Sequence, residues 1–185
     1  MSFRSGFRLT LLSPTSIALV IVAAFLTTGA ALANQIQNQV ASLANHHSAK
    51  AFFSDNTLIY HDGAVGTVAM QLSSQGNRAD IWYPGGDTLV VGRWAAASFP
   101  LTNGRNRNIL CLYVRNGISV VPRGHDTGLI QDNISACYFL DDFSRNIVSV
   151  VAGDPYGLFR ANRAPSLIPD KRRYSAQSLL RMAGG

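Results

Sequence analysis

The rhythm of apolar and polar positions changes three times along the chain. Ile17 to Leu26 is an unbroken apolar run, led by Arg4 and Arg8 and followed by Ala31-Leu32-Ala33. A short basic lead, an apolar core and a small-x-small exit are the parts of an export signal, so residues 1–33 are expected to be removed behind Ala33. An uncleaved anchor is the alternative, but Ile17 to Ala33 is near the lower length limit for crossing about 30 Å of hydrocarbon. From Asn34 to Phe53 the pattern becomes helical. Ile36, Val40, Leu43 and Ala44 recur on one side with Gln and Asn between them, which predicts an N-terminal helix over 34–53.

After Thr57 the period shortens again, to runs of β-branched and aromatic residues broken by Gly, Asn and Asp. The predicted strands are Thr57–His61, Thr67–Ser73, Ala79–Tyr83, Thr88–Ala95, Asn108–Arg115, Ser135–Leu140, Ile147–Ala152 and a marginal Gly157–Arg160. Links this short do not leave room for the crossovers that parallel neighbours need, so an antiparallel meander follows. Closing such a meander removes exposed strand edges. The expected fold is therefore all-β, a small antiparallel barrel or half-barrel of seven to eight strands over residues 54–160, lipocalin-like in its meander, with a two-sheet sandwich as the alternative. Residues 116–134, rich in Gly and containing Pro122, are expected to form a long loop, with Ile118–Val121 as a short strand inside it.

Beyond Arg160 the chain turns to Ala, Pro, Ser and Arg, and Pro165 and Pro169 interrupt regular structure. Residues 161–185 thus read as a flexible tail, with a short helix over Tyr174–Met182. Charge concentrates here. Arg160, Arg163, Lys171, Arg172, Arg173 and Arg181 face only Asp170, a net +5, whereas residues 34–159 sum to −1. Such a cluster suits an anionic membrane surface, while the lack of interleaved aromatic residues argues against nucleic acid.

Cys111 and Cys137 are the two cysteines of the chain. In an exported protein they are expected to join as a structural disulfide; a redox role would need closer spacing and a lowered thiol pKa. The chain has no Glu, and its Asp residues mostly adjoin turn formers, as in Asp62-Gly63 and Gly153-Asp154-Pro155.

Catalytic signatures are weak. His46-His47 are neighbours on the predicted helix and point about 100° apart, a poor arrangement for one metal ion. His61-Asp62 and His125-Asp126 each set a base beside a carboxylate, with Ser73, Ser98 and Ser119 as conceivable nucleophiles, but no nucleophile elbow accompanies them. Asp141-Asp142 diverge as sequence neighbours, and Gly86-Asp87-Thr88 lacks the lysine of a phosphate loop. No metal or cofactor is expected, and the chain reads as non-catalytic. The binding candidates are Trp82 and Trp94 at a barrel mouth and His125-Asp126 in the long loop. Gly92, two residues before Trp94, is expected to admit a bulge or the close approach of another segment.

Asn56-Thr57-Leu58, Ile81-Trp82-Tyr83-Pro84-Gly85-Gly86, Gly92-Arg93-Trp94, Leu110-Cys111 and Cys137-Tyr138-Phe139 occur here in that order. The series resembles a family of small exported Gram-negative proteins known as a domain of unknown function, over roughly residues 53–140, with Thr102–Asn108 as an added polar stretch. The resemblance implies an exported, disulfide-bonded β domain and brings no activity with it. The expected role is a periplasmic or secreted binding protein of the cell envelope, holding a small apolar ligand or an envelope macromolecule at its mouth or loops. The alternative is an inhibitor of a lysozyme or protease that inserts loop 116–134 into the enzyme.

Overall fold

The computed structural model describes residues 31, 34–43, 45–114 and 135–184. The expected export signal apart from Ala31, and the expected loop with Ser119, Ile118–Val121 and His125-Asp126, lie outside the described residues.

Seven strands form one sheet: β1 (Asn56–Asp62), β2 (Gly66–Leu72), β3 (Arg78–Trp82), β4 (Val90–Pro100), β5 (Asn106–Tyr113), β6 (Ser135–Phe139) and β7 (Ile147–Ala152). Their order is β6-β5-β4-β3-β2-β1-β7, and every neighbouring pair is antiparallel. The predicted meander is thus present, and β7 returns to the free side of β1. The polar stretch Thr102–Asn108 is the turn and the first residues of a long β4–β5 hairpin, in which Pro100 pairs with Asn106. Gly157–Arg160 is not a strand; it is turn structure that begins a different element, described below.

The step from β6 to β7 fixes the curvature. These strands lie at opposite edges of the sheet yet are joined by residues 140–146, a reach of at most about 3.6 Å per residue. The edges must therefore curl toward each other, giving a half-barrel. The short helix α3 (Leu140–Ser144) occupies the seam. Its Phe143 stacks on Tyr60 of β1 at 4.6 Å and meets Tyr138 of β6 at 5.1 Å, so three rings bridge the gap that the ladder leaves. Asn146 then donates from Nδ2 to Tyr60 Oη (3.0 Å).

The expected single helix over 34–53 is two: α1 over residues 34–41 and α2 (His46–Phe53). Asn45 makes the break. Its Oδ1 accepts from Ser48 N (2.9 Å), and its own N–H donates to Ser48 Oγ (3.2 Å), a reciprocal cap that starts a new helix. Apolar spacing alone does not reveal this, since both helices turn their apolar residues to the same core. Val40 of α1 with Ala49 and Phe53 of α2 fill the concave face of the sheet against Leu58, Met70, Trp94, Leu110 and Tyr138. The barrel interior is packed by the chain itself.

The convex face is covered too. All seven residues of β2 are buried, although alternate ones point away from the concave core. Ile59, Ala69 and Trp82 form one row across β1, β2 and β3. They are buried beneath Tyr156, Leu158, Ile168 and Leu179, with α4 (Ala176–Met182) closing the layer. Residues 154–184, expected from Ala161 onward to be a flexible tail, are thus a strap docked on the sheet. Trp82 Nε1 donates to Ser166 O (2.8 Å), Gly85 N to Ile168 O (3.1 Å) and Tyr156 Oη to Ala176 O (3.0 Å). The prolines prevent regular structure, as expected, but irregular backbone still docks where its apolar side chains find an apolar row.

Candidate functional site

Both tryptophans offered as binding residues are buried, and Trp94 also backs a cleft of about 440 Å³ with Asn77, Arg93, Ala95 and Tyr113. Trp82 lies under the strap, and Trp94 lies in the concave core with Nε1 donating to Ser73 O (2.9 Å). Both indoles are buried, with their one donor satisfied, so they hold the two layers together. Gly92 has the role its sequence context suggested. A Cβ there would stand 2.5 Å from Tyr113 O and 2.8 Å from a Val114 methyl, so only glycine allows β4 to approach β5 at that point.

Cys111 and Cys137 are bonded, directly opposite one another on β5 and β6. Such a pair is compatible with an oxidising, exported compartment. It also ties together the two strands that flank residues 115–134.

Of the histidine and serine candidates, two clusters can be followed atom by atom. Ser98 Oγ donates to Asn108 Oδ1 (3.2 Å), and His46 Nδ1 lies 3.2 Å from the same Oγ. With the serine proton committed to Asn108, His46 Nδ1 has to be the donor, which is the reverse of what nucleophile activation requires. His46 and His47 have ring centroids 4.0 Å apart, and among the described residues no three metal-ligating side chains converge. Ser73 Oγ accepts from Gln75 N (3.1 Å) within the turn after β2.

The second cluster lies where the strap crosses β1 and β2. Thr67 Oγ1 donates to Arg172 O (2.8 Å) and accepts from Tyr174 N (2.9 Å), so His61 Nδ1, at 3.0 Å, is again the donor. Asp62, the neighbouring carboxylate, instead accepts from Ala64 N (2.7 Å) and Val65 N (3.3 Å), the turn role its Asp-Gly context predicts. Burial and the nearby Arg173 charge hold His61 below its ordinary 6.5, with Asp62 opposing them. Neutral His61 therefore stabilises the docked strap above pH 6.5, and that contribution is lost as pH falls through the lower folded value. Urea midpoints measured between about pH 7.5 and pH 5 should decline more steeply for the wild type than for His61→Gln. Parallel curves would refute the assignment. A separate acid loss, below the ordinary 3.8 of Asp55 and Asp170, belongs to carboxylates whose pKa values are lowered by backbone hydrogen bonds from Ser74 and Arg172.

Docking of the strap also orders its charges. Arg160, Arg163, Lys171, Arg172, Arg173 and Arg181 are all exposed. Lys171 passes so close to the sheet that a Cβ on Gly66, itself at φ +102°, would stand 2.8 Å from Lys171 Cα, and Lys171 Nζ donates to Ala64 O (2.6 Å). Arg172 pairs with Asp170 (2.7 Å), while Arg163 and Arg173 have no ion pair among the described residues. Sequence reasoning found these cations but not the scaffold that presents them.

A polar cleft of about 320 Å³ escaped sequence reasoning. Ser42 and Leu43 after α1, Asn106 to Asn108 on β5, and Leu140 and Asp141 at the start of α3 surround it. Three of these residues belong to the polar stretch that reads as a mere insertion, and the strands bring them beside an Asp pair that is adjacent in sequence.

Comparison with family models, with curated proteins and with solved structures returns no match.

Proposed function

We propose that this chain is an exported, non-catalytic binding protein of the bacterial cell envelope that engages its partner from its outer surface. The C-terminal strap is its cationic contact to phosphate-bearing envelope lipids. One observation carries this reading: Tyr156, Leu158, Ile168 and Leu179 anchor the strap on the sheet, while all six of its basic residues stand in solvent together with Leu167 and Leu180. Because the concave side is filled by α2, recognition inside the barrel has no room, and attention moves to the surface. The disulfide is compatible with the exported setting, which separates this positive surface from intracellular nucleic acid.

Each Lys or Arg near an anionic leaflet contributes about 1 kcal/mol, so Arg163→Gln with Arg173→Gln is expected to weaken binding to phosphatidylglycerol-containing vesicles by about thirtyfold. Binding should vanish on zwitterionic vesicles and weaken with salt. Vesicle sedimentation that is indifferent to these changes would overturn the proposal. Point variants are required here, because removing the strap would expose the convex apolar row.

A further inference from the structure

We infer that the polar cleft between α1, β5 and α3 is a binding site for an uncharged, hydroxyl-rich saccharide unit. Its volume, about 320 Å³, lies at the small end of ligand clefts and is sized for a single sugar unit. The lining is charge-balanced. Arg107 Nη2 donates to Asp141 and, at 3.1 Å, to Asp142, while Arg145 pairs with Asp142 at 3.3 Å, so two cations meet two carboxylates. A guanidinium already neutralised in this way gives little preference for an anion, and the same pairing gives little for a cation. What remains is a mixed set of donors and acceptors: the held guanidinium and carboxylate, the Asn106 carboxamide, and the acceptor side of Ser42 Oγ, whose hydrogen goes to Gln39 O (2.9 Å). A sugar hydroxyl, which donates and accepts at once, fits such mixed chemistry better than any ion.

The array is also rigid before any ligand arrives. The Arg107 guanidinium carbon lies 3.6 Å from the centre of the Phe139 ring, so stacking fixes the plane of the fork and the two carboxylates fix its direction. Asn108 Nδ2 donates to Leu43 O (2.6 Å), which ties the α1–α2 link to β5 and holds the wall that carries Ser42. Asn106 is exposed at the rim, where it can meet a ligand without a structural duty to abandon. Pre-formed polar groups of this kind lower the ordering cost of binding.

The test is an amide-resolved NMR titration of the full mature chain with maltotriose and with triacetylchitotriose as neutral probes. Saturable shifts confined to Ser42, Asn106–Asn108 and Asp141 with at least one probe are expected. Asn106→Ala should weaken that binding about tenfold, and Asn106→Trp, which fills the rim of the cleft, should abolish it. The vesicle-binding variants Arg163→Gln and Arg173→Gln should leave it unchanged, so the two readings fail separately. Lack of saturable shifts with both neutral probes at millimolar concentration overturns the inference. So does binding that survives Asn106→Trp, or a response of these residues to calcium or to a hyaluronan tetrasaccharide that the neutral probes do not give.

Discussion

A chain ending at Arg160 is expected to lose its cooperative thermal transition, or to be recovered largely insoluble, where a dispensable tail would leave both unchanged. The magnitudes favour the stronger effect. Ile168 and Leu179 are fully buried against the sheet, and burial of each contributes about 1.5–3 kcal/mol. Their removal also uncovers Ile59 and Trp82, and Trp82 Nε1 exchanges Ser166 O for water. The two anchors together contribute about 3–6 kcal/mol, before the uncovered Ile59 and Trp82 are counted, a large share of the roughly 5–15 kcal/mol that holds an ordinary domain. The newly exposed row would also present an apolar patch on a β surface, which promotes association. Expression yield and a thermal melt measure both outcomes. Ile168→Asp is the finer version: it keeps every strap cation and removes one anchor. A truncated chain melting within a few degrees of the wild type would show that the convex layer is not integral to the fold.

What hid the strap in the sequence is that its anchors are isolated. Tyr156, Leu158, Ile168 and Leu179 follow neither a helical nor an alternating period, and they lie among prolines and arginines whose composition describes a solvated terminus. Periodicity reads elements that repeat; it does not read irregular backbone docked residue by residue. The strands do hold a trace of the cover. Ile59, Ala69 and Trp82 occupy outward positions where a half-exposed sheet would carry polar groups, and on β2 the outward Ala69 lies between Thr67 and Gln71. A cross-strand row that is apolar on the outward face implies a layer over it. By contrast, the meander was legible because Gly, Asn and Asp punctuate it at regular intervals, and the cysteines because a lone pair in a chain expected to be exported has few other uses. The cleft was not legible at all. Arg107 and Asp141 are 34 residues apart, and only the pairing of β5 with β6, followed by the α3 turn, makes them neighbours.

The same convex face contains a charge whose removal separates two physical effects. Asp80 on β3 is fully buried, and Arg78, two residues earlier on the same face, keeps 32% of its side chain exposed. Arg78 Nε donates to Asp80 Oδ1 (2.9 Å) and Oδ2 (2.8 Å), and Nη2 donates to Oδ1 (2.7 Å). Arg78→Met is expected to cost about 3 kcal/mol, the low end for breaking a buried pair because the guanidinium is part-solvated, since it leaves the Asp80 carboxylate uncompensated in the sheet. Asp80→Asn should cost less, because the buried group is then neutral and the freed Arg78 can turn to water. Arg78→Met combined with Asp80→Leu should return close to wild-type stability, since no charge is left to desolvate. Urea midpoints of the wild type, the two single variants Arg78→Met and Asp80→Leu, and their combination form a double-mutant cycle whose coupling term has to be large and favourable. Equal and additive costs would mean that Asp80 is hydrated in solution, and that the strap segment over the neighbouring row admits water where the structure packs it closed.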